Sequence, residues 1–183
     1  MMTSNDNNFV DNSSSANMVV KKIWSLLEEV GDPEIPVLSI VDLGIVRDVV
    51  ISSSSNGKFE GAVVITPTYS GCPAMDAITI DIRLKLIENG FKNIKVNTIL
   101  SPAWTTEWMS EKGKEKLKAY GIAPPNPKQI ACDTKLFAES EAIQCPLCNS
   151  YSTKLVSQFG STPCKALYKC QHCKEPFDYF KCH

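Results

Sequence analysis

The chain has 183 residues, a formal net charge of −1 and 43% hydrophobic residues, which fits one globular domain or one domain with a small appendage. No apolar run approaches the ~20 residues of a membrane-spanning helix, and a near-neutral balance excludes a general attraction for nucleic acid or an anionic membrane. Eight cysteines are many for a chain that shows no export signal. Cytosolic thiols stay reduced, so their spacing has to decide between metal ligands and packed thiols.

Residues 1–17 are polar and rich in Asn and Ser. They lack the charged-then-apolar layout of a signal peptide, and the reading is a disordered leader on a cytoplasmic protein. Val19, Val20, Ile23, Trp24, Leu27 and Val30 recur at helical spacing, which predicts a helix with Asn17 as its N-cap. Gly31-Asp32-Pro33 stops it.

Ile45–Ile51 and Phe59–Thr66 read as two strands of a hairpin around Asn56-Gly57. A second helix is predicted from Pro73 to about Asn89, with Met75, Ile78, Ile82 and Leu86 inward and Gly90 just past its end. Ile94–Leu100 is a third strand, and a third helix falls within Thr105–Tyr120 before Gly121. The order α-β-β-α-β-α predicts an α+β fold, a small mixed sheet with packed helices over residues 18–122. Residues 123–143, opening with the proline-rich Ala123–Pro127, read as a linker, and residues 144–183 as a zinc-ribbon-like β module.

Cys145-Pro-Leu-Cys148 and Cys170-Gln-His-Cys173 are two knuckles separated by twenty-one residues. Two thiolates three positions apart suit a tight turn, and two such turns complete a tetrahedron around Zn²⁺. Four cysteines close the coordination sphere, so the reading is a structural metal that stabilises a module too small to fold on its core alone. A rubredoxin-like iron site has similar spacing. Cys164 and Cys182 are candidate additional ligands, against the plainer reading of packed thiols; His172 and His183 are weaker alternatives.

Cys72 precedes Pro73 in Thr66-Pro-Thr-Tyr-Ser-Gly-Cys-Pro, which places its thiol at a helix start. There the unpaired N–H groups and the helix dipole favour thiolate and lower its pKa. The plain alternative is a buried cap cysteine. Asp32 and Glu34 could add carboxylates, although spacing does not establish that they lie near Cys72, and Asp32-Pro33-Glu34 reads equally as a helix-terminating turn. Trp104 and Trp108 are either near this surface or in the core.

Asp32-Pro-Glu-Ile-Pro36, Val41-Asp-Leu-Gly-Ile-Val46, Ile65–Pro73 and Leu100-Ser-Pro-Ala-Trp-Thr-Thr106, in that order, resemble the PaaD/SufT-like metal–sulfur cluster biosynthetic family. The stretches Cys164–Tyr168 and Cys173–Cys182 are similar to its PaaD branch. The resemblance implies a non-catalytic accessory factor of phenylacetate catabolism. It would assist the iron or iron–sulfur centres of a multicomponent phenylacetyl-CoA epoxidase, with the oxygenase and reductase subunits as partners. It also implies transient iron or cluster handling by Cys72, Asp32 and Glu34. Homo-oligomers are compatible with it.

Two other functions compete. A catalytic oxygenase subunit would need Glu-x-x-His pairs for di-iron, and the chain has only His172 and His183. A nucleic-acid-binding ribbon would stack bases on Tyr168, Phe177, Tyr179 and Phe180. The segment from Cys145 onward carries five Lys against Glu175 and Asp178, a local +3 that attracts phosphate weakly.

Overall fold

The apolar stripe of the first predicted helix is buried as helix α1 (Asn12–Leu27), with Ile23, Leu26 and Leu27 all inside. The computed structural model describes residues 12–53, 59–125 and 143–181. Helix α1 starts at Asn12, so the predicted disordered leader is corrected over residues 12–17, and Asn17 lies within the helix instead of capping it. Residues 12–17 contain no Gly or Pro, and a helix nucleated on its buried stripe propagates through Ser, Asn and Ala at small cost per residue. Past Leu27 the hydrogen bonds tighten to Glu29 N–H on Leu26 O and Val30 N–H on Leu27 O. Asp32 then fixes the exit turn, its Oδ1 accepting from the Glu34 and Ile35 N–H groups at 2.9 and 2.7 Å.

Strands β1 (Val46–Ser53) and β2 (Phe59–Ile65) pair antiparallel, and the Asn56-Gly57 turn lies outside the described residues. Strand β3 (Ile94–Thr98) joins β2 in parallel, which requires a crossover; helix α2 (Ala74–Glu88) supplies it. Ala74, Ile78, Ile82 and Leu86 form the buried stripe of α2, and Met75 packs partly against the same core. A 3-10 turn at Thr106–Trp108 precedes helix α3 (Glu111–Tyr120). Ser110 caps α3 by accepting from the Gly113 N–H, and Gly121 ends it in the left-handed conformation at φ 91°. The result is the expected α+β arrangement with a mixed three-stranded sheet.

The Val41–Val46 motif acts as a structural clasp. Gly44 has φ 69°, and a Cβ placed there would lie 2.2 Å from the Trp108 carbonyl oxygen, so neither the backbone conformation nor the space admits a side chain. Asp42 accepts hydrogen bonds from the Ser39 N–H at 3.3 Å and the Ser110 hydroxyl at 3.0 Å, and it pairs with Lys116. Burial raises the Asp42 pKa, but the Lys116 ammonium and the serine donors outweigh it and hold the carboxyl below its ordinary value. This stabilisation is complete above the unfolded carboxylate value of about 3.9 and is lost as pH falls through the lower folded pKa. Asp42→Asn should therefore cost about 1–2 kcal/mol at pH 7. The deficit should shrink as melting temperatures are followed down to pH 3, whereas a pH-independent deficit would contradict this account.

The C-terminal module is an antiparallel meander of β4 (Thr153–Ser157), β5 (Lys165–Cys170) and β6 (Pro176–Phe180). Tyr168 stacks on Phe177 at 5.9 Å and meets Tyr179 edge-on at 5.8 Å. These three rings are the miniature core of the ribbon.

The two modules are joined more closely than a linker would imply. Ala123, expected to begin the linker, forms a parallel bridge with Tyr179. It donates to Asp178 O at 2.8 Å and accepts from the Phe180 N–H at 2.9 Å. Phe180 and Cys164, both ribbon residues, are buried in the core of the first module. Trp104 meets Phe180 edge-on at 6.0 Å, and its indole N–H donates to Leu43 O at 2.9 Å. Most of the predicted linker, residues 126–142, lies outside the described residues.

Candidate metal centre and cysteine cluster

Each Cys-x-x-Cys folds as a tight knuckle. Asn149 N–H donates to Cys145 O at 2.9 Å, and Cys173 N–H points at the Cys170 sulfur at 3.5 Å. The residue after each second cysteine, Asn149 (φ 59°) or Lys174 (φ 69°), turns the chain away through the left-handed region. Ring stacking between β5 and β6 and the β4–β5 pairing bring the two knuckles together. The sulfurs of Cys145 and Cys173 lie 3.8 Å apart, those of Cys148 and Cys170 3.6 Å apart, and all four lie within 4.8 Å of one another. Bonds of ~2.3 Å in a tetrahedron place sulfurs about 3.8 Å apart, so this donor set fits a tetrahedral thiophilic ion.

The electrostatics prepare Cys170 for ionisation. Burial raises its pKa, but N–H groups of Cys173 and His172 and the neighbouring thiols overcome that and bring it down to about 6. Its coupled neighbour Cys173 is pushed up, because an ionised Cys170 disfavours a second charge until a cation arrives. His172 thus contributes through its backbone. Cys182 and His183 lie outside the described residues. A bound ion would supply folding free energy here, and four protein ligands leave no open position for substrate.

Cys164 stands apart from the quartet. Its place in the ribbon makes it a candidate extra ligand there, but its sulfur lies 3.6 Å from Glu34 Oε2 and 3.0 Å from the Thr162 hydroxyl. It is buried in the first module's core, against which Cys72 also packs. The hairpin between β4 and β5 places it there: Gly160 N–H bonds Lys165 O, Lys165 N–H bonds Thr162 O, and Lys181 N–H bonds Cys164 O.

Cys72 is half-buried at the start of α2. Gly71, at φ 86°, delivers the loop; Cys72 N–H donates to Tyr69 O, and Cys72 O accepts from the Met75 N–H. Pro73 has helical dihedrals and is formally the cap residue, one position later than expected, while the Ala74 N–H and the Tyr69 hydroxyl bond the Cys72 sulfur. The expected lowering of the Cys72 pKa is corrected. Burial raises it, and the Glu34 and Asp32 carboxylates add to the rise, outweighing the helix-start donors. Without a cation, Cys72 is therefore a neutral thiol at pH 7.

The carboxylates expected near Cys72 are thus within electrostatic reach of it. Asp32 itself is buried, and its Oδ1 is engaged by the exit turn of α1, so the turn reading and the site reading meet in one residue. Burial raises the Asp32 pKa. Glu34 is half-buried and faces the Cys164 sulfur. Burial also pushes Cys164 up to about 11, and Glu34 contributes. Tyr69 is raised too, by burial first and then by Cys72, Glu34 and Cys164. Sequence reading missed Tyr69, Cys164 and Lys165 as parts of this cluster. Cys164 and Glu34 are 130 positions apart, and the one signal was a ribbon thiol with no knuckle partner.

Trp104 is a core residue at the module joint, and Trp108 lies under the Arg47 guanidinium, 3.3 Å from its ring centre. Among the described residues, no helix is long and apolar enough to cross a membrane.

Comparison with known proteins matches both modules. Residues 21–96 match the family described as "Iron-sulfur cluster assembly protein", and residues 129–181 match the "PaaD zinc beta ribbon domain". The chain is 49% identical over 164 residues to a 1,2-phenylacetyl-CoA epoxidase subunit of Escherichia coli (strain K12), so named by assignment, covering 89% of this chain and 93% of that protein. It is 35% identical over 98 residues to "Fe-S protein maturation auxiliary factor" of Porphyromonas gingivalis (strain ATCC BAA-308 / W83), covering 52% of this chain and 87% of that protein. The crystal structure of a "Domain of Unknown Function DUF59 from Bacillus anthracis" aligns with a TM-score of 0.51 at 33% identity, over 58% of this chain and 97% of that one. An iron–sulfur assembly fold carrying a four-cysteine ribbon, matched along nearly its whole length, makes this chain a member of the PaaD family.

Proposed function

We propose that this protein is a non-catalytic accessory factor of phenylacetate catabolism, assisting assembly or maturation of the iron or iron–sulfur centres of the multicomponent phenylacetyl-CoA epoxidase. The observation that carries the reading is the half-exposed Cys72 beside Asp32 and Glu34, in the module that matches an iron–sulfur assembly family. A thiol that stays neutral until a cation neutralises its carboxylate neighbours suits a carrier, which must release what it holds. Iron or a cluster is here cargo.

The quartet Cys145, Cys148, Cys170 and Cys173 holds a resident structural ion, which we assign as zinc. Its closed donor set favours a docking role for the ribbon toward the oxygenase or reductase subunits. The test is the iron content and activity of the oxygenase purified from a strain carrying Cys72→Ser. We expect both to fall severalfold while the chain's own zinc content holds. Undiminished oxygenase iron would reject the carrier role and leave docking as the function.

A further inference from the structure

The groups around Glu34 come from both modules. Cys72, Asp32 and Glu34 belong to the first, whereas Cys164 and Lys165 arrive on the ribbon's hairpin. Glu34 connects the two thiols: its Oε2 lies 3.6 Å from the Cys164 sulfur, and its charge acts on Cys72. Tyr69, bonded to Cys72, also feels Glu34 and Cys164. We infer that Cys164 is the second sulfur donor of the Cys72 site, so that ribbon and assembly domain together form a two-thiolate, one-carboxylate site for a thiophilic divalent metal ion.

The charge balance points to a cation. With both thiols and both carboxylates ionised, four negative groups would face one buried lysine, Lys165, which is 5% exposed and whose charge acts on Asp32 and Cys164. A divalent cation compensates most of that excess. Soft thiolates with one carboxylate select first-row ions such as Fe²⁺, Co²⁺ or Zn²⁺ over Mg²⁺ or Ca²⁺. Among the described residues, the ribbon quartet is the group whose donor atoms all lie within 4.8 Å, so the Cys72–Glu34–Cys164 set closes on an ion by side-chain rotation. A preformed closed site suits a resident ion, and a set that must rearrange suits cargo. The ribbon's docking against the first module, through Phe180 and Ala123, is then what completes the second site.

This inference rests on Cys72 handling metal, and the experiment separates the two. The full chain, loaded with zinc at the ribbon, is titrated anaerobically with Co²⁺, which does not displace zinc from four thiolates. Wild type should bind a further equivalent with thiolate-to-metal charge transfer in the near ultraviolet. Cys164→Ser should lose about half of that band and at least about tenfold in affinity, with unchanged zinc content and far-ultraviolet circular dichroism. Cys72→Ser should behave alike. A Cys164→Ser protein indistinguishable from wild type, beside a defective Cys72→Ser, would overturn the role of Cys164 and leave Cys72 in place. No thiolate band in wild type would overturn the site altogether, whereas the carrier role of Cys72 is judged separately by oxygenase iron. If Cys164→Ser fails to fold, Glu34→Gln takes its place: weaker Co²⁺ binding supports the composite site, and unchanged binding rejects it.

Discussion

Replacing Cys145 with Ser, or removing the ion with a strong chelator, should unfold the ribbon while the first module stays folded. Apparent binding free energies of structural zinc in small modules are about 10–16 kcal/mol. The ribbon's own apolar core is the Tyr168–Phe177–Tyr179 set with a few small residues, too little to replace that contribution. The expected readout is loss of amide-exchange protection across β4–β6, with β1–β3 still protected. Metal content should fall from about one ion per chain to none, as four thiolates fill one tetrahedral sphere. The first module should also melt earlier, because Phe180 and Cys164 leave its core. Retained protection in β4–β6 without metal would show that the ribbon core suffices by itself.

Phe180→Ala should cost about 3–5 kcal/mol, the usual range for emptying a buried phenylalanine site. Phe180 is 1% exposed, is edge-on to Trp104, and its N–H bonds Ala123 O across the module joint. Its loss should leave the metal quartet loaded, since those sulfurs lie at the other end of the meander, but loosen the ribbon from the assembly domain. Trp104 fluorescence should then shift toward that of a hydrated indole at denaturant concentrations where β1–β3 remain protected. Tyr151→Ala, at a side chain 61% exposed, should change stability by no more than about 0.5 kcal/mol and serves as the control. A cost under about 1 kcal/mol for Phe180→Ala would mean that the two modules behave as independent bodies.

The joint also bears on function. If the ribbon carries Cys164 to Cys72, a loosened joint impairs metal handling without touching a ligand. Phe180→Ala would then weaken the second Co²⁺ site while sparing the zinc.

Periodicity in the sequence determined the three helices, the strand pair and the buried stripes. Ile78, Ile82 and Leu86 recur at a spacing that can bury a single helix face, and β-branched runs such as Val46–Ile51 suit a pleated surface. The metal quartet was equally legible, because ligand spacing within a knuckle is a local property and two knuckles have one another as partners. Three things depended on the tertiary structure. The start of α1 did, because a weakly helical polar tract follows whichever nucleus it adjoins. The sign of the Cys72 pKa shift did, because a helix start lowers it by an amount that local sequence suggests, whereas burial and the approach of Glu34 and Asp32 raise it by an amount set by packing. The position of Cys164 did as well. A thiol inside a metal ribbon reads as a ligand or filler of that ribbon, and only the docking of one hydrophobic core on another brings it to a carboxylate 130 positions away.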